Sequence, residues 1–480
     1  MEGNKRGYEL NSNNETFEEY IPRKSKLAFG ALNAGNGVLS GIAFSTITFY
    51  YNVKLGLAAG FVALAWLLFA IWNTINDPLF GYLQDRTKSK YGRRIPYVRF
   101  GAPIIGILFI ICWFPFVDRT DEFGLFLNLL IVLLLFDTLF TIIGLIGFSL
   151  PAEMAITQKA RTEVVTYGVV LGGLALIFSF IIPVFLLTGD KSTKVNPMFL
   201  IAMIFIGIIC AFIIFISSFF LKENLYTQLE EPLGFKDTIK ETIKNKPFLR
   251  YEISNFSFLL AQTIFTTGIF YYIDYVLNIS GYLTMVPLLL VFLMAFIFTP
   301  IFAKLSGKYG LKKVYIFGLA FTGIISISFF FLGWSLLTAI IPLLLLGIGF
   351  SALLLLRPAI MADVIDFDET RTGKRRETSY GGMNAVIEKP AVSIANWMFL
   401  FVIVYFGFQA KAQTQGFQAK MGIMVALTLI PAIFVLFSAF IMKFFPLDGP
   451  EWNKQKSELK RIHYEKEKEY IKHLKEQGKI

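Results

Sequence analysis

The sequence predicts an all-α integral membrane fold: twelve membrane-spanning helices arranged as two pseudo-symmetric six-helix bundles. Three observations carry that prediction. Of 480 residues, 55% are apolar and 16% charged, more apolar material than soluble cores absorb, so the excess must meet lipid. Apolar stretches of about 20 residues, the length a helix needs to cross hydrocarbon at about 1.5 Å per residue, recur along the chain. A charged segment separates six of them from six more, and loops on its two sides echo one another.

The first 26 residues, MEGNKRGYELNSNNETFEEYIPRKSK, are polar. They lack the short apolar run and small-residue cleavage site of a secretory signal, so the first span, 27–51, is expected to direct insertion. Span two covers 57–83, with the loop GYLQDRTKSKYGRRIPYVRFG (81–101) at its end; spans three to six cover 96–116, 122–150, 163–188 and 196–221. The charged stretch KENLYTQLEEPLGFKDTIKETIKNK (222–246) reads as a cytoplasmic linker with a short surface helix. Spans seven and eight cover 248–276 and 281–304, and FAKLSGKYGLKKVYIFG (302–318) then repeats the loop after span two, a two-fold repeat. Spans nine to twelve cover 312–333, 335–361, 379–407 and 420–445. The tail alternates Lys and Glu at helical spacings and carries His463 and His473, which reads as a solvated helix. The chain thus divides into a segment 1–26, a bundle 27–221, a linker 222–247, a bundle 248–445 and a tail 446–480.

A net charge of +11 would suggest nucleic acid in a soluble protein, but its placement explains it better. With the N-terminus and alternate loops assigned to the cytoplasm, 37 of the 45 Lys and Arg lie inside and 6 outside, and Arg357 and Lys389 fall well within spans. That asymmetry predicts a multi-pass cell-membrane protein with both termini cytoplasmic. Cys112 and Cys210 fall in spans, where a thiol is a small hydrophobe. No HExxH, CxxC pair or GxxxxGK[ST] loop is present, and no nucleophile–base pair or metal cluster stands out in the spans. No enzyme, cofactor, resident metal or nucleic-acid partner is expected, and nothing signals an oligomer. The expected partners are a small solute and lipid, and any energy comes from a gradient.

A charge inside lipid costs on the order of 3 kcal/mol, so each one needs a partner, water or a task. Asn73, Asn76 and Asp77 precede Pro78 in span two, and Asn73 and Asp77, four apart, share a helix face. Such oxygens suit a hard cation such as Na+, and a lone buried carboxylate suits H+. The plainer alternative is that Asp77 only pairs with a base across the bundle. Asp137 is either a cavity residue or a buried protonated acid. Asn33, Asn36, Thr141 and Asn384 are candidate cavity or cation ligands and equally ordinary interhelical bonders. Glu388 and Lys389 are neighbours that point about 100° apart, so they face different partners. Arg357 is expected to snorkel to the interface. Trp66, Trp72, Tyr271, Tyr272 and Trp397 could stack on a sugar face or serve as packing.

NTINDPLFGYLQDRTKSKYGRRIPYVRFGAP (73–103) and MADVIDFDETRTGKRRETSYGGMNAVIEKP (361–390) resemble the two signature regions of the glycoside-pentoside-hexuronide cation symporters, the melibiose permease group of the major facilitator superfamily. LPAEMAITQKARTEVVTYG (150–168) is a third match. The resemblance, and not hydropathy, implies that the two halves are six-helix bundles rocking about a central cavity, with sugar movement coupled to Na+ or H+. It also implies that Asp77 is the second of two cation-binding acids; Asn73 stands in place of the first, which argues toward proton coupling or none. Lys389 matches the lysine that links cation and sugar sites, and is expected to pair with Asp77 until the cation displaces it; a fixed ion pair is the alternative. The acids and arginine that grip sugar hydroxyls in the family are replaced by Gly37, by Gly144 or a neighbour, and by Gly168 or Val169. A site without those acceptors does not repay hydroxyl desolvation, which favours a smaller or less polar solute than a disaccharide. Asp85, Arg86, Arg93 and Arg94 with Asp363, Asp366, Glu369, Arg375 and Arg376 are expected to latch the halves across the cytoplasmic face. A lipid or lysolipid carrier and a non-transporting scaffold or sensor are the competing readings.

Overall fold

A computed structural model describes residues 8–10, 17–87, 89–155, 157–190, 194–223, 242–373 and 376–476. Its helices run in chain order as α1 Arg23–Phe49, α2 Ala59–Arg86, α3 Ile95–Ile111, α4 Glu122–Met154, α5 Gln158–Leu187, α6 Pro197–Ser217, α7 Lys246–Tyr271, α8 Val286–Tyr309, α9 Leu311–Leu332, α10 Leu336–Thr372 and α11 Glu377–Tyr405. The twelfth crossing joins α12 Phe417–Met424 through a π-helical turn, Val425–Leu429, to α13 Ile430–Lys443; α14 Gly449–Glu476 forms the tail. Among the described residues, eleven crossings are long and apolar enough to span a membrane, and α3, with 17 residues, covers about 25 Å. The N-terminal segment adds what the sequence did not suggest, a short antiparallel pair of β1 Tyr8–Leu10 and β2 Phe17–Glu19. The surface helix expected in the linker lies outside the described residues.

Local chemistry sets the helix ends. Asp121, Asn196 and Asn245 accept backbone N–H bonds from Gly124, Met198 and Phe248 at the starts of α4, α6 and α7, and Pro197 and Pro247 open two of these helices where a missing N–H costs nothing. α10 ends on Gly373, whose φ of +70° suits a residue without Cβ. Because α10 continues to Thr372, well past the span the apolar run suggests, Arg357 lies inside the bundle.

In each half the helices pack by close approach. A Cβ on Gly30 of α1 would meet the carbonyl of Tyr167 on α5 at 2.8 Å, and one on Gly347 of α10 would meet the carbonyl of Val291 on α8 at 2.3 Å. Between the halves, α2 packs on α11, and α5 touches α8 through the Phe180–Phe292 rings and the 3-10 turn before α8, Gly281–Met285, through the Phe185–Tyr282 rings.

The first helices of the two halves, α1 and α7, end alike. Each runs through Phe-Tyr-Tyr, 49–51 and 270–272, into a π-helical turn, Tyr50–Lys54 or Tyr272–Leu277. The two ends meet on the face opposite the chain termini. Phe49 and Phe270 lie 5.5 Å apart, the Tyr271 hydroxyl donates to Asn52 at 3.0 Å, and Thr48 donates to Asn396 on α11 at 2.7 Å. Lys54 reaches the carbonyl of Asp190, and Asp274 accepts from the Gly189 N–H at 2.6 Å. This far face is closed by buried polar bonds and aromatic rings drawn from both halves.

Candidate functional site

Midway through the bundle, Lys389 extends from α11 into the other half. Its ammonium contacts Asp77 Oδ1 at 2.5 Å, Thr141 Oγ1 at 2.5 Å and Asn76 Oδ1 at 3.2 Å. Asp77 and Asn76 come from α2 and Thr141 from α4, so three oxygens from two helices surround one positive charge. Pro78 lacks an N–H, which frees a carbonyl of the preceding turn and loosens α2 beside the acid. Asn76 Nδ2 turns the other way, donating to Asp137 and, at 3.1 Å, to Thr141. Asp137 is only 1% exposed, and its partner one helix away was not evident in the sequence. Asn73 donates to the backbone carbonyl of Lys389 at 3.3 Å, leaving its own Oδ1 buried without a partner. Trp72 donates to Thr138 at 3.1 Å beside this cluster.

Glu388 takes the opposite direction, back into its own half. It lies 2.5 Å from the Arg357 guanidinium and accepts from Asn255 at 2.6 Å; Asn255 in turn accepts from Arg357 Nε at 2.7 Å and donates to Asn384 at 3.2 Å. Arg357 therefore does not snorkel, because a carboxylate and a carboxamide inside the bundle replace interfacial water. Glu252, on α7, lies 2% exposed beside this group, near Asn255 but with no donor at good hydrogen-bonding geometry to either carboxylate oxygen. Sequence reading passed over Glu252 and Asn255. The signal was there, a carboxylate a few residues into a span, but so near the end it reads as interfacial.

The positions where the family's sugar-gripping charges are expected lie together around α1. A Cβ on Gly37 would have nothing within 4 Å, so this position opens onto free space. Asn36 and Asn33 fill the room near the others: Asn36 Nδ2 lies 3.6 Å from a Cβ built on Gly144, and Asn33 Nδ2 lies 3.5 Å from one on Gly168. Asn36 keeps a buried, unpartnered Oδ1, and Asn33 donates to the Phe29 carbonyl at 2.9 Å. The aromatic candidates are engaged in packing. Trp66 donates to Thr48 at 2.8 Å, Tyr272 donates to the Gly333 carbonyl at 2.7 Å, and Tyr271 belongs to the far-face closure. Trp397 stacks on Phe401 and, with Ala59, Ala63, Leu64 and Leu67, lines an apolar groove of about 480 Å³ between α2 and α11, open to the side.

On the terminal face, several of the described charges pair within one half. Arg93 and Arg94 both reach Glu153 on α4 at 2.6 Å, and Arg86 lies over the Tyr82 ring at 4.1 Å. Asp368, which the sequence reading did not single out, holds Arg376 and, at 3.0 Å, Arg371. Asp363 binds Lys456 of the tail and accepts from Trp452 at 3.1 Å, so α14 is docked at its start instead of fully solvated. Asp366 has a partner as well. The side chains of Asp85, Arg375, His463 and His473 lie outside the described residues.

A family profile described as MFS/sugar transport protein matches residues 28–449. The inner membrane symporter YicJ of Escherichia coli (strain K12) is 24% identical over 88% of this chain and 92% of that protein. The glucuronide carrier protein homolog of the same organism is 21% identical over 83% and 87%. The mouse (Mus musculus) sodium-dependent lysophosphatidylcholine symporter 1 is 20% identical over 82% and 80%. Among solved structures, a D-xylose-proton symporter superposes with a TM-score of 0.61 at 15% identity, covering 88% of this chain and 96% of that one.

Proposed function

The chain belongs to the MFS/sugar transport protein family, and on that premise we propose that it moves a sugar or glycoside together with a coupling cation, Lys389 and Asp77 forming the switch between the two. It is a multi-pass membrane transporter of the secondary active kind, not an enzyme. One observation carries the mechanism: the Lys389 ammonium occupies a cage of Asp77, Asn76 and Thr141 oxygens that a cation would also seek. Two positive charges do not share one carboxylate at this range, so an arriving cation expels the ammonium. Because the cage oxygens sit on α2 and α4 and the lysine on α11, that exchange releases a tie between the halves and leaves them free to rock. Either Na+ or H+ can play the part. The unpartnered Asn73 Oδ1 adds a neutral oxygen ligand where the family has a charge.

The solute site is the space at Gly37 with Asn33, Asn36 and the neighbouring polar groups of α4 and α11. Carboxamides replace charges there, which favours a small or weakly polar solute. We place the bundles at 27–221 and 248–445, both termini in the cytoplasm of a cell membrane, and a monomer as the working unit. The α2–α11 groove supports a second reading, a lysolipid carrier, because it is apolar and opens sideways.

Uptake into proteoliposomes of labelled sugars, glycosides and lysolipids, under sodium or proton gradients imposed separately, tests both. Gradient-driven sugar uptake supports the first reading; lipid movement with no sugar uptake replaces it with the second.

A further inference from the structure

Glu252 has no role in the mechanism above, yet among the described residues it is a carboxyl with both oxygens buried and poorly paired. It lies on α7, 2% exposed, with no donor at good hydrogen-bonding geometry to either oxygen; Asn255, three residues on, is its polar neighbour and already gives its amide to Glu388 and Asn384. A bare carboxylate in such a place is far more expensive than a neutral carboxylic acid. The charged and titratable groups facing it are Tyr251 on its own helix, Arg357 on α10 and Glu388 on α11, with Tyr315 on α9 one step further out, against Tyr251 and Arg357. Of the other elements packed on α7, α13 offers the uncharged Ser438, bonded to Ser254 at 2.6 Å. Both α1 and the π-helical turn after α12 meet α7 near the far face, around Phe270 and Gly268. Two carboxyls therefore share one guanidinium, and Arg357 is already committed to Glu388 at 2.5 Å. The group is one positive charge short.

We propose that Glu252, with the Arg357–Glu388 pair, forms a second cation site of this protein, specific for a proton and lying wholly within the C-terminal half. A metal ion is disfavoured by the guanidinium inside the group and by the donors already bound to Glu388, from Arg357 and Asn255. Uptake is the transfer of one proton from hydronium to a Glu252 oxygen, leaving water behind; no other bond changes. Entry is from the side of Glu388 and Arg357, whose side chains remain 22% and 18% exposed. Glu388 and Lys389 are consecutive on α11, so a change of charge at Glu252 acts on the same helix segment that reaches Asp77. Asn255 stiffens that link by bonding Arg357, Glu388 and Asn384 together.

The inference does not depend on the identity of the solute, and its test uses none. Infrared difference spectroscopy of the purified full-length protein, titrated with acid and base, reads the carbonyl stretch of protonated carboxyl groups. Glu252→Gln should lose a band that Asp137→Asn and Asp77→Asn retain, and Glu388→Gln, which frees Arg357 to pair with Glu252, should shrink the same band at neutral pH. Glu252→Asp should shift the band's frequency without abolishing it, which keeps the assignment testable if the Gln variant does not fold. A wild-type protein without such a band, or a band untouched by both Glu252 variants, overturns the proposal.

Discussion

The two polar clusters inside the bundle are built from the same parts and differ in where those parts are anchored. Each has two carboxyls, one basic side chain and bridging carboxamides: Asp77, Asp137 and Lys389 with Asn73 and Asn76, and Glu252, Glu388 and Arg357 with Asn255 and Asn384. The first spans both halves, since Lys389 leaves α11 to reach α2 and α4. The second is drawn from α7, α10 and α11 of one half. Rocking of one bundle against the other therefore strains the first cluster and carries the second along intact. A coupling switch must sit where relative motion is felt, which is why the lysine cluster is assigned that role, and a store of charge can ride within a rigid body.

Removing Lys389 should have the largest effect. Lys389→Ala leaves Asp77 buried without its cation and is expected to lower stability by about 3 kcal/mol, with most of that regained in Lys389→Ala/Asp77→Asn; thermal unfolding in detergent measures both. A double variant no more stable than the single one would separate the pair energetically. Arg357→Met should cost about 2 kcal/mol through the stranded Glu388, but should change the labelling of a cysteine introduced at Gly37 much less than Asp77→Asn does. Equal labelling changes in both would erase the distinction between a tie across the halves and a tie within one. Asp363→Lys, which sets a like charge against Lys456 at a buried position, should detach the tail at a cost of about 2 kcal/mol, seen as faster proteolysis of α14. Gly37→Asp, with open space around its Cβ, should alter stability by no more than about 1 kcal/mol and strengthen sugar binding, read by isothermal titration.

Apolar length was enough to read the crossings from the sequence, because the bilayer imposes it, while the two halves were read from the charged segment 222–246 and the echoing loops on its two sides. The individual cross-bundle pairs were harder. Lys389 and Asp77 were legible because family motifs contain both, and the divergence of Glu388 from Lys389 followed from helical geometry. Arg357 and Glu252 were obscured for a shared reason: each falls near the end of an apolar run, where a charge is ordinarily interfacial, whereas α7 and α10 carry both into packed surroundings. The terminal-face charges look suited to bridging the halves from their signs alone, whereas the pairs seen here, Arg93 and Arg94 with Glu153 and Asp363 with Lys456 of the tail, do not cross between the bundles. The repeated Phe-Tyr-Tyr at 49–51 and 270–272 is plain in the sequence and acquires meaning only once the two helix ends are seen to meet.

The most direct test of the coupling switch compares two transport modes of one variant in proteoliposomes: accumulation of labelled sugar against its gradient, and exchange of labelled for unlabelled sugar with no gradient. Asp77→Asn should abolish cation-driven accumulation while exchange persists. Undiminished accumulation in Asp77→Asn would contradict the assignment of Asp77 and Lys389 to coupling.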